Sequence, residues 1–247
     1  GSQIKKARNL FKKAIKKNSY KGKYHYCYCT KCNHFYHVVN EAVKHDVDLE
    51  TSSSFDIDII LTLLKEEKID RDIHIVHNGY KTDDYLKKII AMQRMGFENS
   101  IIVLDSINEL KRLEDLSGDN KIKIGIRMAI DEEPQSAYYT SRLGINHSDI
   151  IPFYKEHIKG KPNIELQMLH FFVDSGIKDE LYYWGEFQRA VKLYIDLKKE
   201  CESLTAFNLG GGFPIRNHLG FEYQYEYMIN EIITNIKDAC VKEGIDE

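Results

Sequence analysis

The sequence predicts an incomplete parallel (β/α) barrel of the TIM type, about seven strands with the eighth lacking, and three observations predict it. First, short β-rich runs alternate with amphipathic helical runs from end to end, the pattern of parallel strands joined by right-handed crossovers. Second, these units follow one another without a linker, a low-complexity stretch or a break in composition, which fits one barrel better than two domains. Third, the chemically distinctive motifs each follow a strand-like run, where the loops of such a barrel gather at its C-terminal face. The 247 residues are close to the usual (β/α)₈ length of about 250. Only seven strand signals can be counted, however. A seven-strand arc leaves a seam with unpaired edges, so either another segment closes the barrel or the chain is part of something longer.

Ile4–Lys17 reads as an opening amphipathic helix, with Ile4, Ala7, Phe11, Ala14 and Ile15 on one face and solvated lysines on the other. The strand runs are His25–Lys31, Val47–Ser52, Ile73–Asn78, Ser100–Leu104, Lys121–Met128, Ile164–Phe172 and Ala206–Leu209. Helical patterns lie between them at Phe35–Lys44, Ile57–Glu66, Asp83–Met95, Ile107–Leu116, Ile150–Ile158 and Tyr182–Lys199. The last helix, Tyr223–Lys242, carries Ile229, Ile232, Ile233, Ile236 and Cys240 at helical spacing, and Gly244 stands where a C-cap glycine belongs.

A net charge of −3 gives no support to a nucleic-acid or membrane-surface role. No apolar run reaches the roughly 18 residues of a transmembrane helix, and no secretory signal opens the chain. The cysteines number five, an odd count without a signal, which argues for reduced thiols and a cytoplasmic location.

Cys27, Cys29 and Lys31 share one parity of the first strand run, and Tyr24, Tyr26 and Tyr28 the other. With the tyrosines packed on helices, Lys31 would stand at the rim of the barrel interior. Partial desolvation there would free its amine as a nucleophile toward an aldehyde. The plain alternative is a strand-end lysine reaching into water. Cys27, Cys29, Cys32, His34 and His37 offer a rival zinc reading, against which stand the extended strand and the lack of a second paired motif.

Gly210-Gly211-Gly212 follows the seventh strand run and can turn consecutive N–H groups toward a phosphate, although a tight turn needs the same residues. Barrels often bind phosphate with the loops after strands seven and eight. Ser175 could donate to the same phosphate or simply serve a turn. His170 reads more readily as a core histidine than as a catalyst. Glu50, a carboxylate in an apolar run, needs a cation, and Lys31 on the neighbouring strand is the natural one. Arg127 puts a second cation on the rim.

The ordered motifs Tyr28-Cys29-Thr30-Lys31, Glu50-Thr51-Ser52-Ser53, Asn78-Gly79-Tyr80-Lys81, Ser141-Arg142-Leu143-Gly144, Leu169-His170-Phe171 and Gly210-Gly211-Gly212 resemble those of the pyridoxal-phosphate enzymes with an alanine racemase-like barrel. Among these they are most similar to biosynthetic arginine decarboxylases. Asn78-Gly79-Tyr80-Lys81 is the most discriminating piece, since related decarboxylases typically read Asn-Pro there. The resemblance implies that the whole chain, 1–247, is one pyridoxal-phosphate-binding barrel domain truncated at both ends. It implies that Lys31 bonds the cofactor, with Glu50 beside it. His170 and Phe172 would lie at the ring, Arg127 would line the site, and Ser175 with the Gly210–Gly212 loop would hold the phosphate. The implied reaction is α-decarboxylation of a basic amino acid, arginine to agmatine, in polyamine synthesis, by a parent protein that is a homo-oligomer.

Three departures qualify the resemblance. Phe172 stands where the family has a second histidine, so it can stack but cannot move a proton. The eighth strand, with the acid that pairs with the pyridine nitrogen, is absent from the chain. So is the C-terminal β-domain that helps to read the substrate. The isolated chain is therefore expected to be inactive or very weak. A non-catalytic barrel homologue acting as a binding or regulatory partner is the alternative, and a carrier or racemase-like barrel a third.

Overall fold

A computed structural model describes residues 1–131, 143–173, 176–177, 180–215 and 222–247. Its elements run α1 (Ser2–Asn18), β1 (Cys27–Cys29), a 3₁₀ turn (Thr30–Cys32), α2 (Tyr36–Val43), β2 (Asp48–Thr51), α3 (Ser54–Lys65), β3 (Ile75–His77) and α4 (Asp83–Arg94). There follow β4 (Ser100–Leu104), α5 (Ile107–Ser117), β5 (Ile122–Arg127), α6 (His147–His157), β6 (Ile164–His170), α7 (Glu180–Glu200), β7 (Ala206–Asn208) and α8 (Tyr225–Glu243).

The strands form one seven-stranded sheet in sequence order, every neighbouring pair parallel. This is the barrel arc that the alternation predicts. Among the described residues, β1 pairs only with β2 and β7 only with β6, so the seam between them is not bridged by strand pairing.

Alternation along the strands divides the buried residues into two layers. Leu49, Ile75, Ile102, Ile126 and Leu169 face the helices and belong to the main core, with Ile57, Leu86, Leu110 and Phe187 packed on them. Val76, Ile101, Val103 and Met168 point the other way and form a separate interior cluster with Cys27 and Ala206 against it. Gly125 belongs to this inner layer for lack of space: a Cβ there would lie 3.1 Å from Met168 Cβ and 3.2 Å from Val103 Cγ2.

A third cluster joins the chain ends. Phe11 and Ala14 of α1 pack on Ile229 and Ile233 of α8, with Tyr24, Leu209 and Phe213 against them. Those last three flank the entry to β1 and the exit from β7, so the helix pair spans both sides of the unpaired seam. Asn18 fastens it, donating to Asn230 Oδ1 at 3.1 Å and accepting from Thr234 Oγ1 at 2.9 Å. Gly244 adopts the left-handed cap, φ 67°, after α8, as the sequence predicts.

The first strand ends earlier than expected. β1 stops at Cys29, and Thr30 and Lys31 enter the 3₁₀ turn. Pairing sets this end: the register with β2 runs out at Cys29 opposite Glu50. Tyr24 and Tyr26 precede the strand, and Tyr24 stacks on Phe11 with ring centroids 3.9 Å apart. No helix among the described residues is long and apolar enough to cross a membrane.

Candidate active site

Each strand delivers one polar side chain to the C-terminal mouth of the arc, from its last residues or the residue just beyond: Cys29, Glu50, Asn78, Asp105, Arg127, His170 and Asn208. All share the inward parity of the interior cluster below them, so the mouth is a polar layer on an apolar floor.

Asn78 is the centre of this layer. Its Nδ2 donates to Glu50 Oε1 at 3.4 Å and meets His170 Nε2 at 3.1 Å. With an amide N–H pointing at Nε2, the proton of the neutral imidazole belongs on Nδ1. Burial, then the charge of Arg127, drives the His170 pKa down to about 3, so the ring is neutral at physiological pH. Asn208 lies beside the same ring, and its Oδ1 accepts from Gly210 N at 2.8 Å. A chain of polar contacts thus runs from β2 across the mouth to the glycine loop.

Glu50 is half-buried, and desolvation raises its pKa. Hydrogen bonds from Asn78 and Cys29 and the charges of Arg127 and Lys31 act in the opposite direction without cancelling it. The Cys29 thiol is pushed up to about 12 by its own burial and by Glu50, so it stays a thiol and donates to that carboxylate. Lys31 is exposed on the 3₁₀ turn. This corrects the expectation of a desolvated strand lysine; the parity of the strand does not extend to it. Its charge acts on the Glu50 carboxylate, after burial, the Asn78 and Cys29 hydrogen bonds and Arg127.

Phe172 lies just past β6. Its ring is nearly parallel to that of His170, at 14° and 6.5 Å between centroids, and the Arg127 guanidinium stands 5.6 Å from its centroid. The glycine loop abuts the same ring. A Cβ on Gly210 (φ 64°) would come within 2.7 Å of Phe172 Cδ2 and 2.8 Å of Phe171 O. A Cβ on Gly212 (φ 83°) would lie 2.8 Å from Gly176 Cα. Gly212 O in turn accepts from Ile177 N at 2.9 Å, which ties the loop after β7 to the loop after β6. Among the described residues, no hydrogen bond engages the N–H groups of Gly211 and Gly212, and both residues are exposed.

Behind Arg127 lies a wholly buried lysine. Lys81 Nζ donates to Gly79 O at 2.7 Å and stands 3.6 Å from Asp105 Oδ2 and 3.5 Å from Glu109 Oε2. Asp105 Oδ1 is 3.8 Å from Arg127 Nη1.

The expected residues Lys31, Glu50, Arg127, His170, Phe172 and Gly210–Gly212 therefore belong to one mouth. Ser175 lies outside the described residues, as do Ser141 and Arg142 of their motif. Cys29 lies on the inward face that strand parity predicts, whereas Asp105 and Asn208 are mouth residues that the sequence patterns do not single out, and those patterns assign Asn78 and Lys81 no role. The available signal was a polar residue at inward parity at the end of an apolar strand run, as in Val103-Leu104-Asp105. Among the described residues, no three His, Cys, Asp or Glu side chains gather in a way that could hold a metal ion.

Comparison with known proteins identifies the family. Residues 2–246 match the family described as pyridoxal-dependent decarboxylase, pyridoxal binding domain. The chain is 25% identical over 98% of its length to a biosynthetic arginine decarboxylase of Prochlorococcus marinus subsp. pastoris, covering 40% of that relative. It is 26% identical over 96% of its length to biosynthetic arginine decarboxylase 2 of Synechocystis sp., again covering 40%. The chain thus spans about 40% of the length of these curated relatives. Among solved structures, the biosynthetic arginine decarboxylase of Campylobacter jejuni superposes with a TM-score of 0.80 at 23% identity, over 99% of this chain and 41% of that one. Diaminopimelate decarboxylase from M. jannaschii superposes with a TM-score of 0.79 at 17% identity, over 100% of this chain and 57% of that one. Both superpositions establish the barrel fold. The match over almost every residue establishes more: the chain belongs to the pyridoxal-dependent decarboxylases, as their pyridoxal-binding domain, and its cofactor is pyridoxal phosphate.

Proposed function

We propose that this chain is the cofactor-holding barrel of an amino-acid decarboxylase that converts arginine to agmatine, a step of polyamine biosynthesis, in a parent protein that is a homo-oligomer. One observation carries the reading: Lys31, Glu50 and an exposed glycine loop converge on one mouth in a chain of the pyridoxal-binding family. Arginine as substrate is supported by the arginine decarboxylase relatives.

The residues fit the cofactor. The exposed Lys31 Nζ is the amine available to bond an aldehyde. The N–H groups of Gly211 and Gly212 are turned to no protein acceptor among the described residues, as a phosphate cradle requires. The close backbone approach at Gly210 and Gly212 leaves no room for a side chain that would fill the cradle. Phe172 offers a flat apolar face next to that loop. Pyridoxal phosphate, when bound, supplies the electron sink that lets a carboxylate leave the α-carbon of an amino acid.

The chain's own groups divide the remaining work. Glu50, its pKa raised by burial, can hold a proton in the mouth where the Lys31 charge acts. Asn78 Nδ2 orients that carboxylate and keeps His170 in one neutral tautomer. Cys29, protonated, donates and does not attack. Phe172 excludes water from the ring face and moves no proton.

The test is carbon dioxide release from arginine, ornithine and lysine, with pyridoxal phosphate present, by this chain and by its complete reading frame. Release from arginine in strong preference supports the reading; preference for another amino acid removes arginine from it. A second reading has an observation in its favour: Phe172 replaces the family's ring-stacking histidine. A non-catalytic homologue would bind the cofactor yet release no carbon dioxide from any of the three, even in the complete frame.

A further inference from the structure

Lys81 closes the most distinctive motif of the sequence, yet it is wholly buried and cannot touch a ligand at the mouth. Its Nζ faces two carboxylates, Asp105 at 3.6 Å and Glu109 at 3.5 Å. Glu109, in the first turn of α5, accepts the Asp105 backbone N–H at 2.7 Å through Oε2, the oxygen that faces Lys81. The Asp105 main chain is therefore held from behind by Glu109, and its carboxylate, whose oxygens make no hydrogen bond among the described residues, faces Lys81 through charge alone. Its other oxygen, Oδ1, looks toward the mouth and lies 3.8 Å from Arg127 Nη1. The charges balance, Lys81 and Arg127 against Asp105 and Glu109. Buried ion pairs are weak sources of stability because desolvation offsets their attraction, so such a cluster directly behind a site points to placement of a group.

We infer that Asp105 is a positioning residue: backed by Lys81 and Glu109, it helps to hold the Arg127 guanidinium over Phe172, and so places the cation of the cofactor mouth. The inference rests on the reading of this mouth as the cofactor site. Without the Asp105 carboxylate, Lys81 keeps Glu109, while Arg127 loses one of its charged neighbours and its place over Phe172 is less constrained. Lys81 thereby gains a role: it acts on the site through Asp105 without approaching it.

The experiment is a double-mutant cycle read by cofactor binding. Pyridoxal phosphate is titrated into the chain, and the fraction bonded to Lys31 is trapped with borohydride and counted by mass spectrometry. The cycle comprises wild type, Asp105→Asn, Arg127→Gln and the double variant. Asp105→Asn is expected to weaken binding by about tenfold, and the double variant to bind no more weakly than Arg127→Gln alone, because coupled residues do not add. Losses that multiply in the double variant, or an Asp105→Asn chain within about twofold of wild type, would overturn the inference. A merely structural role for Asp105 would give the multiplied losses. If Asp105→Asn does not fold, Asp105→Glu, which keeps the charge but displaces it, enters the same cycle under the same criterion. Failure of the wild type itself to form the Lys31 adduct is a separate result: it removes the cofactor-site reading and this inference with it.

Discussion

His77, the last residue of β3, is fully buried, and both nitrogens of its ring have a partner on a neighbouring strand. Nδ1 meets Thr51 Oγ1 at 2.7 Å and Nε2 meets Ser100 Oγ at 2.8 Å, while Tyr85 OH closes on the same threonine at 2.6 Å. Such a network is costly to leave half made. His77→Ala is expected to cost about 2–4 kcal/mol by stranding both hydroxyls and opening a cavity, measured by urea unfolding. Burial lowers the pKa of His77, as of His170, from 6.5 to about 3 in the folded chain. The unfolded chain therefore binds protons that the folded chain refuses between those values. Stability is full above pH 6.5 and falls as the pH drops toward 3. Unfolding midpoints at pH 7 and pH 5 should differ in that direction, and less so in the His77 variant. At this scale the sequence revealed chemistry better than environment. Lys31, Glu50 and Arg127 could be read as mouth residues because strand parity and charge pairing are local. That Lys31 is exposed, or that Asp105 faces Arg127, depends on where neighbouring strands end.

Among the elements, the strands are short, three residues in β1, β3 and β7, and their ends are set by neighbours. Alternation in Tyr24–Lys31 runs past the last β2 partner, so the sequence overstates β1 by the residues that turn into the 3₁₀ segment. The helices were easier to read, because a helix satisfies its hydrogen bonds within itself and its apolar stripe shows in one segment. The glycine loop is the element on which the site depends most. Gly212→Ala would bring a Cβ within 2.8 Å of Gly176 Cα at φ 83° and must displace the loop. We expect pyridoxal phosphate affinity to fall about tenfold or more, with the melting temperature shifted by only a few degrees, since the loop is exposed and strain of this kind costs about 1–3 kcal/mol. Titration and a thermal melt on the same sample test both halves.

For the molecule as a whole, the α1–α8 pair does what strand pairing does elsewhere in the sheet. It holds together the entry to β1 and the exit from β7 through a core of its own, Phe11, Ala14, Ile229 and Ile233. Phe11→Ala should cost about 3–5 kcal/mol if this core is continuous with folding. Hydrogen exchange should then accelerate in α1 and α8 before it does in β4, whose residues are buried throughout. Uniform acceleration would show that the helix pair is not a separable unit. The terminal helices and the alternation were legible in sequence; their pairing across the seam was not, because it joins residues more than 200 positions apart, such as Asn18 and Asn230.

The central claim is that this mouth holds pyridoxal phosphate through Lys31. Borohydride reduction of the chain with pyridoxal phosphate, followed by peptide mass spectrometry, tests it most directly. The account predicts a reduced adduct on the peptide containing Lys31, lost in Lys31→Ala and diminished in Gly212→Ala. A folded chain that forms no adduct, or one that labels surface lysines of α1 as readily as Lys31, would contradict it.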